Sequence, residues 1–155
     1  MGSGKSHWGR IWSKKYNLSF YDLDEEIEKQ EGETVFNIFK TKGEEYFRQI
    51  ESNSLKSFSN KDNFLLACGG GTPCFNNNID WINKNGTSVY LKISPEKLLK
   101  RLRNEKDKRP LLTTLSDDQL FGYIQYKLTD REQYYLKADF FVEENKVGTF
   151  ELLNK

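Results

Sequence analysis

Short strand-like runs alternate with longer helical segments along this chain, and this alternation constrains the fold more than any other feature. The runs read LSFYD, FLLAC, TSVYLKI and ADFFVE, and they occupy residues 18–22, 64–68, 87–93 and 138–143. Helical patterns occupy residues 5–16, 24–31, 34–42, 43–59, 76–85, 94–104, 116–137 and 147–154. FLLAC is continuously apolar, which is typical of a strand buried on both faces of a parallel sheet. Strands that alternate with helices predict parallel β-α units and therefore a layered α/β domain.

The size and charge of the chain narrow the possible functions. Its 155 residues predict a single domain over 1–155. The 24 basic residues nearly balance the 23 acidic ones, which argues against nucleic acid or an anionic membrane as the main partner. Cys68 and Cys74 have neither zinc-site nor disulfide-framework spacing, and His7 is the single histidine. We therefore expect a cytoplasmic protein with no nucleic acid and no membrane as a partner. We also expect it to be a monomer.

The predicted strands end in DLD, CGGGTP, ISPE and EENK, and three of these four ends carry chemically active residues, at the edge of a parallel sheet where functional residues gather. Asp22 and Asp24 point to one side of the sheet, where one could hold a magnesium-bound water and the other a substrate hydroxyl. Alternatively, Asp24 caps a helix that begins at Glu25, and Asp22 is a turn residue. The three consecutive glycines of CGGGTP, Gly69–Gly71, follow FLLAC. Because glycine is costly in chain entropy, this run favours close approach of a ligand to backbone N–H groups over a plain turn.

The amino-terminal stretch GSGKS matches part of a phosphate-binding loop. In the pattern G-x-x-x-x-G-K-[ST], backbone N–H groups surround phosphate oxygens, the lysine neutralises their charge, and the hydroxyl ligates magnesium. Gly4, Lys5 and Ser6 match the last three positions, and a helical pattern follows them. The first glycine of the pattern would fall two residues before Met1, so the match is incomplete. The alternative is a flexible amino terminus without a binding role.

Three arginines have both an ordinary and a functional interpretation. Arg48 and Glu51 stand at i, i+3 on a helix, where they either form a surface ion pair or orient a guanidinium toward a carboxylate. Arg109 belongs either to a solvated loop or to a mobile lid that reaches a transferring phosphate. Arg131 lies on a predicted helix, and its position alone does not indicate a role.

Taken in order, the motifs GSGKS, DLDEEIE, IF, GEEYFRQIE, GGGTP, RPLL and REQYY resemble the shikimate kinase family in sequence and spacing over nearly the whole chain. The resemblance implies a three-layer α/β/α fold of the P-loop NTPase type with a central parallel sheet. It also implies a substrate-binding helical region at about 24–59 and a lid at about 104–116. The implied reaction transfers the γ-phosphoryl group of ATP to the 3-hydroxyl of shikimate, in the chorismate route to aromatic amino acids.

The resemblance further implies how ATP and magnesium are bound. The residues that would cradle the ATP phosphates are Gly2, Ser3, Gly4 and Lys5. Ser6 would ligate Mg²⁺ directly, and Asp22 would hold it through water. Arg109, in the lid, would contact the nucleotide and stabilise charge on the transferring phosphoryl group. One of Arg101 and Arg103 would stack on adenine, and the spacing leaves that choice open.

The shikimate site is implied in the same way. Asp24 would accept the hydroxyl that is phosphorylated and could act as its base. Arg48 and Arg131 would clamp the shikimate carboxylate, and Glu51 would orient Arg48. The backbone N–H groups that would bind the ligand are those of Gly69, Gly70 and Gly71. The walls of the pocket would be formed by the rings of Phe39 and Phe47.

Two other functions and one expectation about the chain start accompany this interpretation. Another small-molecule P-loop kinase, such as a gluconate kinase, could share the loop and the fold, but would not be expected to combine FRQIE, GGG and RPLL. A non-catalytic ligand-binding remnant could keep the substrate residues without binding ATP. The first, central strand of the implied sheet is not in this chain, so we expect that Met1 is not the native start. The native protein should carry roughly ten more residues, an apolar strand ending in Gly-x.

Overall fold

The computed structural model describes residues 2–104 and 114–151. The chain divides into two compact units, of which one spans Gly4–Gly86. The other combines the first three residues with the chain from Thr87 onward. The prediction of a single domain over 1–155 stays a prediction. The central part of the predicted lid, with Arg109, lies outside the described residues.

The Gly4–Gly86 unit contains four α-helices and two strands, with boundaries close to those expected. They are α1 (Lys5–Lys15), β1 (Ser19–Asp22), α2 (Leu23–Glu31), α3 (Val35–Ser57), β2 (Phe64–Ala67) and α4 (Asn78–Asn85). Strands β1 and β2 are parallel, and Asp22 at the end of β1 pairs with Ala67 at the end of β2. The acidic residues after β1 and the glycine run after β2 therefore leave the sheet at the same edge.

Local chemistry accounts for the helix boundaries of this unit. The Asp22 side chain accepts a hydrogen bond from the backbone N–H of Asp24 and so caps α2, which ends at Gly32 in the left-handed region, with a φ of 70°. Gly43, with a φ of 85° and a ψ of 172°, kinks α3 between the two helical segments that the sequence predicts. The buried core of the unit consists of Leu23, Ile27, Ile38, Phe47, Leu55 and Phe58.

The second unit repeats the alternation of strands and helices. Its elements are β3 (Val89–Lys92), α5 (Pro95–Arg103), α6 (Asp117–Tyr135) and β4 (Phe140–Glu143). Strands β3 and β4 are parallel. Helix α6 begins with a capping box in which Ser116 and Gln119 exchange side-chain and backbone hydrogen bonds. The buried residues that hold α5 against α6 are Ile93, Leu98, Leu102, Leu120 and Ile124.

The two parallel strand pairs confirm the predicted α/β class. One predicted element, the α-helix over 147–154, differs in its described part, where the chain forms a 3₁₀-helix at Glu144–Thr149. Residues 152–154 of that prediction lie outside the described residues. Val147 is the buried residue of this segment, and Gly148 disfavours an α-helix. No helix in the described parts of the chain is long and apolar enough to cross a membrane.

Candidate active site

A lysine, a serine and an aspartate meet where α1 begins and β1 ends. The Ser6 hydroxyl donates to Asp22 Oδ2 at 2.5 Å, and Lys5 Nζ lies 3.1 Å from the same oxygen. Asp22 is buried, with 6% of its surface exposed. The structure thus brings together three of the predicted site residues, which are separated by up to 17 positions in the chain.

The loop before this cluster leads directly into α1. Gly4 has a φ of 85° and a ψ of 17°, a left-handed conformation that side chains other than glycine rarely adopt. The N-cap residue of this 11-residue helix is Gly4, which has no side chain to cap the first N–H groups. A helix start of this kind carries a positive partial charge and favours phosphate groups.

Asp24 lies in the first turn of α2, half-buried, with its backbone N–H bonded to Asp22 Oδ1 at 3.2 Å. Asp22 therefore caps the helix, and the alternative in which Asp24 capped a helix from Glu25 is wrong. Burial raises the pKa of the Asp24 carboxyl, and the nearby Asp22, Glu51 and Glu28 raise it further, while Lys5 opposes them. A carboxyl group with a raised pKa is suited to accept a proton from a hydroxyl group.

Arg48 is held by two glutamates rather than exposed on the helix surface. Its Nη1 donates to Glu51 Oε2 at 2.8 Å, and its Nε and Nη2 donate to Glu44 Oε1 at 3.1 and 3.0 Å. The side chain of Arg48 is 12% exposed and that of Glu51 is 1% exposed. The interpretation as a surface ion pair is therefore wrong for this pair, because both partners are largely withdrawn from water.

Three aromatic rings surround the Arg48 guanidinium. The Cζ atom lies 5.7, 5.2 and 4.3 Å from the ring centroids of Phe39, Phe47 and Phe75. The rings of Phe39 and Phe47 also contact each other, with centroids 4.5 Å apart. Cation–π contacts of this kind orient a guanidinium without neutralising it. Phe39 and Phe47 were predicted as pocket walls, whereas the contribution of Phe75 was not.

The glycine run after β2 lies directly against these side chains. A Cβ atom at Gly71 would come within 2.7 Å of both terminal nitrogens of Arg48. A Cβ atom at Gly69 would lie 3.4 Å from Asp24 Oδ1 and 3.4 Å from Glu51 Oε1. The groups that approach these glycines closely are therefore protein side chains. The binding of a ligand by the backbone N–H groups of Gly69–Gly71 stays a prediction.

Three further polar residues, missed by sequence reasoning, complete the site. Thr72 donates its hydroxyl to Glu51 Oε1 at 2.7 Å, Asn78 Nδ2 donates to the Thr72 carbonyl at 2.9 Å, and Ser52 Oγ donates to Asn78 Oδ1 at 2.8 Å. None of the four side chains in this network is more than 1% exposed. The available signals were weak: Ser52 follows Glu51, and Thr72 follows the glycines.

The remaining predicted residues belong to the second unit. Arg131 lies half-buried on α6. Arg101 donates to the Gly2 carbonyl at 3.0 Å and pairs with Glu144, whereas the more exposed Arg103 pairs with Asp117. These contacts do not decide which arginine stacks on adenine.

Neither Cys68 nor Cys74 forms a disulfide bond within the described residues. Burial raises the pKa of Cys68 to about 12, so this group stays neutral at physiological pH. No group of three or more His, Cys, Asp or Glu residues in the described ranges could hold a metal ion on its own.

Comparisons with known proteins all match this chain to shikimate kinases over nearly its whole length. A family model described as shikimate kinase matches residues 1–152. A shikimate kinase of Parabacteroides distasonis is 41% identical over 149 residues, which cover 96% of this chain and 86% of that protein. A crystal structure of shikimate kinase from Bacteroides thetaiotaomicron has a TM-score of 0.91 at 34% identity, with 96% of this chain and 88% of that chain covered. A structure of shikimate kinase from Acinetobacter baumannii in complex with shikimate has a TM-score of 0.84 at 32% identity, covering 94% of this chain and 79% of that chain.

Proposed function

This chain belongs to the shikimate kinase family, and on that premise we propose how its residues transfer the γ-phosphoryl group of ATP to the 3-hydroxyl of shikimate. The chain is an ATP-dependent kinase of the P-loop NTPase fold. The observation that carries the proposal is the cluster next to the glycine run, where Asp24 and Glu51 border Gly69 and Arg48 borders Gly71. An acidic acceptor on α2 and a forked cation on α3 therefore lie against the same glycine turn.

The acceptor substrate explains this pairing. Shikimate is a small ring with one carboxylate and several hydroxyl groups, so its recognition requires a guanidinium for one end and a hydrogen-bond acceptor for a hydroxyl group. We assign the carboxylate to Arg48 and the reacting hydroxyl to Asp24, which orients it and takes its proton. Arg131 is the proposed second clamp, on the strength of the family motif alone.

The phosphate groups are assigned to the start of α1. The loop Gly2–Gly4 and the helix start provide backbone N–H groups, and the Lys5 ammonium neutralises phosphate charge. Phosphoryl transfer depends mainly on positioning and on stabilising the charge of the transferring group. In the lid, Arg109 is proposed to add to this stabilisation, and its position lies outside the described residues.

The residues present fit a magnesium ion. The Ser6 hydroxyl and the Asp22 carboxylate are oxygen donors 2.5 Å apart, and Mg²⁺ commonly takes one or two protein oxygens with phosphate and water as its other ligands. Ser6 would bind the ion directly and Asp22 through a water molecule. When bound, magnesium supplies neutralisation of the phosphate oxygens. A cytoplasmic location and a monomeric state stay predictions from the sequence.

The test is a turnover assay with three outcomes. The purified protein is mixed with ATP, magnesium and shikimate, and ADP release is followed by a coupled assay while shikimate phosphate is detected by mass spectrometry. We expect turnover with shikimate and background ADP release with gluconate. Turnover with gluconate alone would support the other kinase, and shikimate binding without ADP release would support the non-catalytic remnant.

A further inference from the structure

We propose that Thr72 is a positioning residue for shikimate recognition, which acts through Glu51 on Arg48. The proposal rests on the proposed function, because it takes Arg48 as the group that binds the substrate carboxylate. The two oxygens of the Glu51 carboxylate have different partners: Oε1 accepts from Thr72 at 2.7 Å, and Oε2 accepts from Arg48 at 2.8 Å. With a donor on each oxygen, the carboxylate has one favoured orientation.

Thr72 is itself held in place from two sides. Its backbone N–H donates to the Gly69 carbonyl at 3.1 Å, and its own carbonyl accepts from Asn78 Nδ2 at 2.9 Å. The amide oxygen of Asn78 then accepts from Ser52 at 2.8 Å. Because Ser52 follows Glu51 on α3, the hydrogen bonds lead from α3 to the turn after the glycines and back to α3. A closed buried network of this kind holds each of its members more firmly than a single bond does.

The segment after Thr72 also contacts Arg48 directly. The Phe75 ring lies 4.3 Å from the Arg48 guanidinium carbon, and Asn76 Nδ2 donates to the Arg48 carbonyl at 3.0 Å. Asn76 therefore fixes the backbone of Arg48, and Phe75 covers one face of its guanidinium. Within this segment, Thr72 is the residue that acts on Arg48 through Glu51, and it thereby holds the Nη1 group of Arg48.

Loss of the Thr72 hydroxyl would release Glu51 on one side. The carboxylate could then rotate, and Arg48 would follow its second partner, Glu44, whose side chain is 57% exposed. The nucleotide groups Lys5, Ser6 and Asp22 make no described contact with Thr72, so ATP binding should not change. We expect a raised KM for shikimate and an unchanged kcat. This is the result when the lost interaction binds the substrate equally well in the ground state and in the transition state.

The first experiment compares Thr72→Val with Thr72→Ser in steady-state kinetics. Valine keeps the shape and removes the hydroxyl, and we expect it to raise the KM for shikimate about fivefold to tenfold. Serine restores the hydroxyl and should return KM close to the wild-type value. In both variants the KM for ATP should equal that of the wild type. A Val variant with an unchanged KM for shikimate, or a Ser variant as impaired as Val, would overturn the proposal.

Two buried serines on α3 offer a matched pair that does not disturb Thr72. Ser52 donates to Asn78, whereas Ser54 Oγ has no hydrogen-bond partner within the described residues, and both side chains are at most 3% exposed. Ser52→Ala should raise the KM for shikimate about twofold to threefold, while Ser54→Ala should leave it unchanged. If Thr72→Val fails to fold, this pair decides the question, and equal KM values in the two Ala variants would contradict the proposal.

Arg48→Ala separates this inference from the proposed function. If Arg48→Ala leaves the KM for shikimate unchanged, the assignment of Arg48 fails and Thr72 loses its target. If Arg48→Ala raises KM, then adding Thr72→Val to it should cause no further rise, because the two residues act on one contact. An additive rise in the double variant would show that Thr72 acts independently of Arg48 and would refute the inference.

Discussion

Gly71→Ala tests the shikimate site with one added methyl group. The backbone of Gly71 has a φ of −88° and a ψ of −23°, which alanine adopts without strain, so the substitution acts through space alone. The new Cβ would stand 2.7 Å from Nη1 and Nη2 of Arg48, where ordinary contact begins at 3.4 Å. The guanidinium must therefore move by about 0.7 Å, the difference between these two distances.

Moving the Arg48 guanidinium costs free energy because neighbouring side chains enclose it. The buried Glu51 and Phe47, and the Phe75 ring at 4.3 Å, hold the guanidinium in place, so a displacement disturbs its present geometry. A hydrogen bond to a charged group contributes about 1.5–3 kcal/mol to binding. Because the proposed bond between Arg48 and the shikimate carboxylate is displaced rather than removed, we expect a loss of binding free energy at the lower limit of this range. Shikimate should therefore bind about tenfold more weakly.

Isothermal titration calorimetry measures this effect with ATP as the internal reference. The affinity for ATP should stay at the wild-type value, because Lys5 and Ser6 do not contact Gly71 among the described residues. Gly122→Ala is the matched control, since a Cβ there meets nothing within 4 Å and should leave both affinities unchanged. A folded Gly71→Ala protein that binds shikimate as tightly as the wild type would refute the assignment of Arg48.

Three further substitutions probe the other assigned roles. Asp24→Asn should lower kcat about a hundredfold or more through loss of the proton acceptor. The same change should raise the Tm at pH 7, because the raised pKa of Asp24 means that its ionised form opposes folding. This destabilisation appears as the pH rises above 3.8 and is complete above the folded-state pKa. A Tm equal to or below that of the wild type would contradict this. Arg131→Ala should weaken shikimate binding about tenfold to a hundredfold in calorimetry without affecting ATP, and equal losses for both ligands would exclude the clamp role. Arg109→Ala should lower kcat more than it raises the KM for shikimate, and an unchanged kcat would exclude the lid role.

Much of the fold could be predicted from sequence because its determinants are local. The apolar run FLLAC and the strand before Asp22 form the parallel pair that the alternation implied, and Gly43 separates the two predicted helical segments at a kink. The position of Lys5 and Ser6 at the start of a helix also follows from adjacent residues. At the kink and at the helix start the interacting groups lie within a few positions of one another, where backbone geometry alone brings them together. The pairing of the two strands is not local, and it followed instead from the alternation of strands and helices.

The contacts that shape the site were decided by tertiary structure. Arg48 and Glu51 could be paired from their i, i+3 spacing, but their burial depends on the glycine turn that lies against α3. Thr72 is 21 residues from Glu51, and Ser52 is 26 residues from Asn78. The periodicity of a helix or a strand relates only neighbouring positions, so it could not predict these two pairs. Their members meet only because β2 places the glycine turn beside α3. The sequence alone determined which chemical groups are available, and the packing of the turn on the helix decided which of them hold Arg48.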